Sequence, residues 1–483
     1  MTVRNQLESL SAIAGIRTLI AHDVEYRGGS VCRFRPELLA HHCTAAGLIE
    51  QAAGLWGKAG QRSLERSALV EATAQLTRAL GQIATLPGKA ALRREQIKLQ
   101  VALVNALTHT KGYAASDTKA AIEQARLYTE QAEALGEPPE DPLLLFSVLF
   151  GFWVATYVAS NGDVARELAA QFLALAEKQG ATVVLSIAHR IMGTSLLHMG
   201  DFVQARTHYD RGIALYDPAE HRPLAMRFGQ DVGVSFFTYR SQALWLLGYP
   251  DAARTDAEHA LKHAREIGQA ATLMFALGTL SMNQIIWRNY AALAQELVAL
   301  AEEKRALYWK AYAMTNQGCV LALTGKSSDA IQMITSGITA LRSTGSKLWI
   351  PLFLSYLARA HAELAQFEEA WRCIGDAMTA VGTTKEKWCE ADIHRTAGEI
   401  ALMLPEQDAA KAEAHFEWAL AIAREQKAKF WELRAAMSMA RLWRGQGQRL
   451  QAHDLLAPVY GWFTEGFDTL DLKEAKALLA ELA

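Results

Sequence analysis

Residues 189–215 read HRIMGTSLLHMGDFVQARTHYDRGIAL, and residues 352–378 read LFLSYLARAHAELAQFEEAWRCIGDAM. Each is two helix-length segments around a turn. In the first, Gly200 stands at the turn, with Ala205 and Gly212 following at five and twelve residues. Seven residues are about two helical turns, so the two small side chains share one face of the second helix. Small residues there let the first helix of the hairpin approach closely. Glycine at the turn tolerates the left-handed conformation that stops a helix.

The same spacing recurs at Gly47/Ala52/Ala59, Gly248/Ala253/Ala260, Asn289/Ala294/Ala301, Gly325/Ala330/Gly337 and Ala365/Ala370/Ala377. Weaker copies hold Ala72/Ala79, Ala125/Ala132, Ala169/Ala176 and Ala412/Ala419, and a last one begins at Gly447/Ala452 with Val459 in the second small slot. From residue 205 onward the first small residues stand at 205, 253, 294, 330, 370, 412 and 452, a period near 40. One hairpin cannot bury its apolar face alone, and stacked neighbours can. The reading is an all-α, right-handed α-solenoid of tetratricopeptide-like hairpins, about ten or eleven of them. A chain of 483 residues exceeds what a single core sustains, and a solenoid grows in one dimension instead.

A second period supports the first. Trp309, Trp349, Trp388 and Trp431 lie 40, 39 and 43 residues apart, each at the start of the first helix (helix A) of a hairpin. They predict either packing between repeats, the favoured reading, or an aromatic ladder along the groove. Around them Glu390, His394, Arg395 and Glu399 share one helix A, and Trp431, Glu432, Arg434 and Arg441 the next. Glu390/His394 and Arg395/Glu399 are i, i+4 pairs that stabilise a helix. As a groove-lining polar set they would meet a partner's backbone or carboxylate. The candidate groove-binding set is therefore Trp309, Trp349, Trp388, Glu390, His394, Arg395, Trp431 and Arg434.

Irregular stretches set the boundaries. Residues 1–34, with YRGGSVCRF, do not fit the repeat. Residues 35–136 form a first set of hairpins, ended by GEPPEDP (136–142), and 142–466 the main solenoid. DPAEHRP (217–223) is a longer loop that widens one step of the period. Residues 467–483, with LDLKEAKALLAEL, form the capping helix.

The chemistry expected of the chain is binding, with no catalytic residue, no metal and no cofactor. Gly325-Lys326-Ser327 resembles the end of a phosphate loop, but Val320 occupies the position of its first glycine. Gly445 and Gly447 begin a G-x-G that Leu450 breaks. His41, His42 and Cys43 are consecutive on a helix and diverge by about 100° each, so they cannot meet one ion. His259 and His263 share a turn but lie on a polar face. Cys32, Cys43, Cys319, Cys373 and Cys389 are scattered and read as reduced thiols. A net charge of −2 gives no basic field for nucleic acid or an anionic membrane. With neither a secretory leader nor a membrane span, a cytoplasmic location is expected.

EKWCEADIHRTAGEIAL (386–402), LAPVYGWFTEGFDTLDLKEAK (456–476) and PELLAHH (36–42) resemble the C-terminal region of large bacterial signalling proteins. In that family, frequent in rhizobia, a class III adenylate/guanylate cyclase or a transcriptional regulator is fused to a STAND-type ATPase and a tetratricopeptide region. The resemblance runs from about residue 35 to the end. It implies a regulatory arm for a cyclase or ATPase module, the protein or peptide partner of this surface. The cyclase's metal-binding aspartates and the ATPase's phosphate loop have no counterpart here, so no catalytic role carries over. Residues 1–34 depart from the family pattern, as a truncated or differently assigned start would. The leading expectation is a non-catalytic scaffold for protein interaction, and the alternative is a solenoid that senses a small-molecule or peptide effector.

Overall fold

The computed structural model describes residues 36–137, 141–290 and 292–483. The expectations for residues 1–34, Cys32 among them, and for residues 138–140 of GEPPEDP lie outside the described residues.

Helices account for all the regular structure among the described residues. They are α1 (Pro36–Ala45), α2 (Ile49–Glu65), α3 (Leu69–Ile83), α4 (Ala90–Thr110), α5 (Ser116–Ala134), α6 (Leu143–Val158), α7 (Gly162–Gln179), α8 (Thr182–His198), α9 (Phe202–Ala214), α10 (Val232–Leu247), α11 (Pro250–Ile267) and α12 (Ala270–Ile286). There follow α13 (Leu293–Glu303), α14 (Leu307–Leu323), α15 (Ser327–Ser343), α16 (Ile350–Glu363), α17 (Phe367–Thr384), α18 (Glu390–Met403), α19 (Ala409–Glu425), α20 (Lys429–Gly445), α21 (Arg449–Gly461) and α22 (Leu470–Leu482). The loop at 217–223 winds into short helical turns, Pro218–His221 and Arg222–Leu224, and Asp217 caps the first by accepting from Ala219 N–H. The chain is thus an all-α array of tetratricopeptide-like hairpins.

Contacts divide the described residues into two compact units, one from residue 36 to 111 with those between 116 and 151, and one of 112–115 with those from 152 to 483. The boundary at 151/152 falls inside α6, past the proline-rich segment where the sequence placed it. In the first unit α2 and α3 form a hairpin around Ser67, which takes the left-handed conformation, and α4 packs on α3 and α5.

The second unit contains the hairpins α8/α9, α10/α11, α12/α13, α14/α15, α16/α17, α18/α19 and α20/α21, followed by α22. Its turn residues carry the conformation the repeat demands: Gly200, Gly248, Gly325 and Gly447 have positive φ, and so does Ala365 at 57°. At the Asn289 slot the left-handed residue is Arg288, one position earlier, so the turn has slipped by one. The small pairs are buried as expected. A Cβ on Gly212 would stand 2.1 Å from the Phe236 ring, and one on Gly337 2.1 Å from Thr315 Oγ1. Helices close enough to touch there admit only hydrogen.

Helix A of each hairpin is buried almost all round, as in α8, α10 and α12, while helix B shows one narrow buried stripe, as in α11 with Ala253, Ala260 and Ala264. Each helix A also touches the next helix A. This is the sequence pattern made spatial: uniformly apolar helices inside, amphipathic helices outside.

The second unit closes on itself every five hairpins. The carbonyl of Val158, at the end of α6, accepts from Lys347 N–H at 3.0 Å, just before α16. The carbonyl of His198, ending α8, accepts from Trp388 N–H at 3.2 Å, just before α18. Trp245 near the end of α10 stacks on Phe430 of α20 at 4.5 Å. Arg288, in the turn after α12, reaches Asp471 Oδ1 of α22 at 3.2 Å. Helix C-termini carry unsatisfied carbonyls and partial negative charge, and N-termini the opposite, so end-to-end meeting satisfies both.

Candidate functional site

The four tryptophans of the 40-residue period are at most 4% exposed. Trp349 and Trp388 meet edge to face at 5.0 Å, Tyr312 bridges Trp309 and Trp349, and Trp431 Nε1 donates to the Trp388 carbonyl at 3.0 Å. They do line up, but inside the protein. The open aromatic ladder is corrected to an internal one, because the five-hairpin contacts cover the indoles from the adjacent turn. Around Trp309 and Trp349, the side chains of Tyr113, Trp153, Tyr157, Arg190, Tyr239 and Tyr308 leave about 30 Å³, room for about a water molecule.

His394 is buried toward α19, its Nδ1 3.1 Å from His415 Nδ1. Burial, helped by His415, pushes its imidazole down to about 4. His189 and His208 form the same contact at 3.0 Å in α8/α9. Glu390 is half-buried, and burial raises its carboxyl. Neither Glu390 nor His394 lines a described cavity, so that half of the expected polar set faces away from the site.

Arg395 and Arg434 do reach one. Helices α12, α14, α16, α18, α20 and α22 enclose a cavity of about 370 Å³, with Arg288 and Tyr290 from the turn after α12. Arg359 enters from α16, Asp392, Arg395 and Glu399 from α18, Arg434, Ser438 and Arg441 from α20, and Asp471 and Glu474 from α22. Charged side chains on successive helices A converge here.

The floor is an internally satisfied ion-pair lattice. Arg434 donates from Nε and Nη2 to Asp471 Oδ2 at 3.0 and 2.7 Å. Arg288 reaches Asp471 Oδ1 at 3.2 Å and Glu474 Oε1 at 2.9 Å. Arg395 is held between Asp392 at 2.7 Å and Glu399 at 2.6 Å. Burial works against its charge, and the two carboxylates override it, so Arg395 stays charged far above neutral pH. Burial likewise opposes the Glu399 carboxylate, but Arg395 and Arg359, with hydrogen bonds from Arg395 and Ser438, hold it below the usual range. Both signs of charge are therefore fixed in the cavity at neutral pH.

Glu399 and Arg441 stand out in the sequence beside the candidate set, whereas Arg288, Tyr290, Arg359, Asp471 and Glu474 do not. Their common signal is a charged or polar residue on, or just after, an apolar helix A, or on the cap. α22 packs on α20 as its neighbour in the chain, but only the five-hairpin closure brings it under the end of α12, and no local pattern reports that. Among the described residues no group of three or more His, Cys, Asp or Glu side chains could hold a metal ion. Cys43, Cys319, Cys373 and Cys389 are buried thiols. No helix among the described residues is long and apolar enough to cross a membrane.

No family model matches the chain. It is similar to an uncharacterised protein of Rhizobium meliloti (strain 1021), 23% identical over 413 residues, which cover 84% of this chain. The chain spans 39% of the length of that curated relative. Among solved structures it is similar to a Rap protein complexed with competence and sporulation factor, at 9% identity and TM-score 0.40, covering 90% of this chain and all of that one. It is also similar to a STAND signal-transduction ATPase with a tetratricopeptide-repeat sensor from Pyrococcus horikoshii, at 10% identity and TM-score 0.32, covering 88% of this chain and 54% of that one.

Proposed function

We propose that the chain is a regulatory helical-repeat scaffold that binds a small polar effector or short peptide in the α12–α22 cavity and controls a partner protein, without chemistry of its own. The carrying observation is the cavity, whose 370 Å³ lies in the lower part of the range of about 300–1,000 Å³ used for small ligands. A folded domain or a whole helix would need an open groove, and the turn-to-turn contacts fill the aromatic part of the inner face. The alternative weighed from the sequence, an effector-sensing solenoid, thus has the stronger support. The sequence resemblance to cyclase and STAND signalling proteins supports a cytoplasmic cyclase, ATPase or transcription factor as the partner.

The test is a thermal-shift screen of the full chain against metabolites and short peptides. Binding to the folded state alone stabilises it by about 2.7 kcal/mol at a hundredfold excess over Kd, so a true effector raises Tm by several degrees. Its photoaffinity analogue should label Tyr290 or Tyr356. Purified chain that ignores the whole library, or that turns over ATP, would overturn the proposal.

A further inference from the structure

We infer that the cavity's ligand is an amino-carboxylate, carrying both a carboxylate and an ammonium group, gripped by Arg359, Glu399 and Arg441. This rests on the ligand-binding reading of the same cavity and names its chemistry.

The inference comes from which hydrogen-bonding capacity is left over. The floor side chains Arg395, Arg434, Asp392 and Asp471 are turned to one another and nearly sealed. Arg359, Glu399 and Arg441 are more accessible, with side chains 38%, 34% and 43% exposed, while the comparably open Arg288 and Glu474 are paired with each other. Arg359 commits only Nε, to Glu363 at 3.1 Å. Arg441 commits one terminal nitrogen, to Glu474 at 3.3 Å. Glu399 accepts both of its bonds, from Arg395 and Ser438, on Oε1. Both terminal nitrogens of Arg359, one of Arg441 and Oε2 of Glu399 therefore stand at the cavity without a hydrogen bond to the protein, Arg359 and Glu399 acting on each other only through charge.

These three lie on α16, α18 and α20, one per successive helix A, and their charges alternate plus, minus, plus. A guanidinium offers paired N–H groups that match a carboxylate bidentately. A lone carboxylate oxygen matches an ammonium. A simple anion such as phosphate would satisfy the arginines but sit against Glu399, and a simple cation would do the reverse. Burying either charge unpaired is costly. A ligand with both groups leaves none stranded, and a second carboxylate, as in an acidic amino acid, would serve the remaining arginine. Free amino acids and short peptides with free ends share this chemistry.

The test uses the full chain in thermal-shift and calorimetric titrations. The probes are the common free amino acids, a tripeptide pool with free ends, the same pool acetylated and amidated, succinate, putrescine and inorganic phosphate. Free amino acids or the free-ended pool should raise Tm, whichever responds identifying the source. Aspartate or glutamate, or peptides bearing them, should respond most, and the capped pool, phosphate, succinate and putrescine should not. Arg359→Gln and Glu399→Gln should each weaken binding at least tenfold. Arg441→Gln, at the most accessible of the three sites, should do so with unliganded Tm unchanged. Equal binding of the capped pool or of phosphate overturns the inference, as does binding indifferent to Arg359→Gln and Arg441→Gln. If these probes fail while another compound in the metabolite screen binds and labels the cavity, the ligand class is wrong and the effector-binding reading survives. If nothing binds, both fall.

Discussion

The backbone N–H of Trp388 donates to the carbonyl oxygen of His198 at 3.2 Å, joining the start of α18 to the end of α8, five hairpins earlier in the chain. A repeat protein ordinarily draws its stability from adjacent repeats alone. Here each turn of the second unit also rests on the next, and Trp388 lies on that seam. Its ring is fully buried, and its Nε1 donates to Glu386 Oε1 at 3.0 Å. Long-range contacts of this kind should make unfolding of the unit more cooperative than a nearest-neighbour array allows.

Trp388→Ala should therefore cost about 3–5 kcal/mol, the range for emptying a buried aromatic site. Trp418, 53% exposed on α19, is the control. Its alanine variant should stay within about 0.5 kcal/mol of the parent. Urea denaturation read by circular dichroism separates the two, and equal losses would mean the 40-residue tryptophan period has no special structural weight.

Glu386 predicts a pH dependence. It is buried, it accepts from Trp349 N–H at 3.0 Å, and burial pushes its carboxyl up to about 8 against the hydrogen bonds that favour the charge. An unfolded glutamate titrates near 4.3. Between those values the folded chain holds a proton that the unfolded chain has released, so stability falls as pH rises, by up to about 1.4 kcal/mol per unit. Burial depresses His189, His198 and His394 to about 4, so their contribution is present above about 6.5 and lost as pH falls toward 4. The window from 6.5 to 8 thus belongs to Glu386. Urea midpoints should decline across it in the parent and flatten in Glu386→Gln. Parallel slopes in the two proteins would refute the assignment.

Two glycines should respond with opposite signs. Gly212→Ala drives a methyl into the Phe236 ring, and overpacking of this kind costs about 1–3 kcal/mol. Gly375, inside α17, has open space where its Cβ would be, so Gly375→Ala should stabilise by about 0.5–1 kcal/mol through helix propensity. Both can be read from the same denaturant curves. A stabilising Gly212→Ala would show that the interface between successive hairpins is looser than the distances imply.

These glycines also show how far the sequence could be read. Gly212 and Gly337 belong to a local spacing whose cause is close helix approach, of Gly337 to its own hairpin partner and of Gly212 to the next hairpin, so the repeat and its turns are visible in the residues themselves. The left-handed Arg288 in the slot expected for Asn289 marks where that logic blurs, since a turn can slip by one residue without disturbing the helices. Arg395 and Arg434 could be singled out as charges on apolar helices. Asp471, their neighbour in the cavity, could not, because it follows from α22 closing beneath α12. That contact depends on the small rotation accumulated over five hairpins, a quantity no single stretch of sequence encodes.

The hold on the cap can be tested at Asp471, which pairs with Arg434 of the neighbouring α20 and with Arg288 from the turn after α12, five hairpins back. Arg434 and Asp471 are both buried, Asp471 almost completely, and Arg434 also reaches the Ile286 carbonyl at the end of α12. Removing one partner of such a pair leaves a buried charge unmatched, so Asp471→Asn should cost about 3–5 kcal/mol. Replacing both with apolar residues of similar volume removes the stranded charge, so Arg434→Met with Asp471→Leu should recover much of that loss. A double-mutant cycle on urea stability measures the coupling, and hydrogen exchange in α22 locates it. Slow exchange throughout α22 in Asp471→Asn, with a loss below about 1 kcal/mol, would place the pair among the solvated surface ion pairs that contribute little. The cap would then be held by the apolar contacts of Leu472, Ala475 and Leu478 alone.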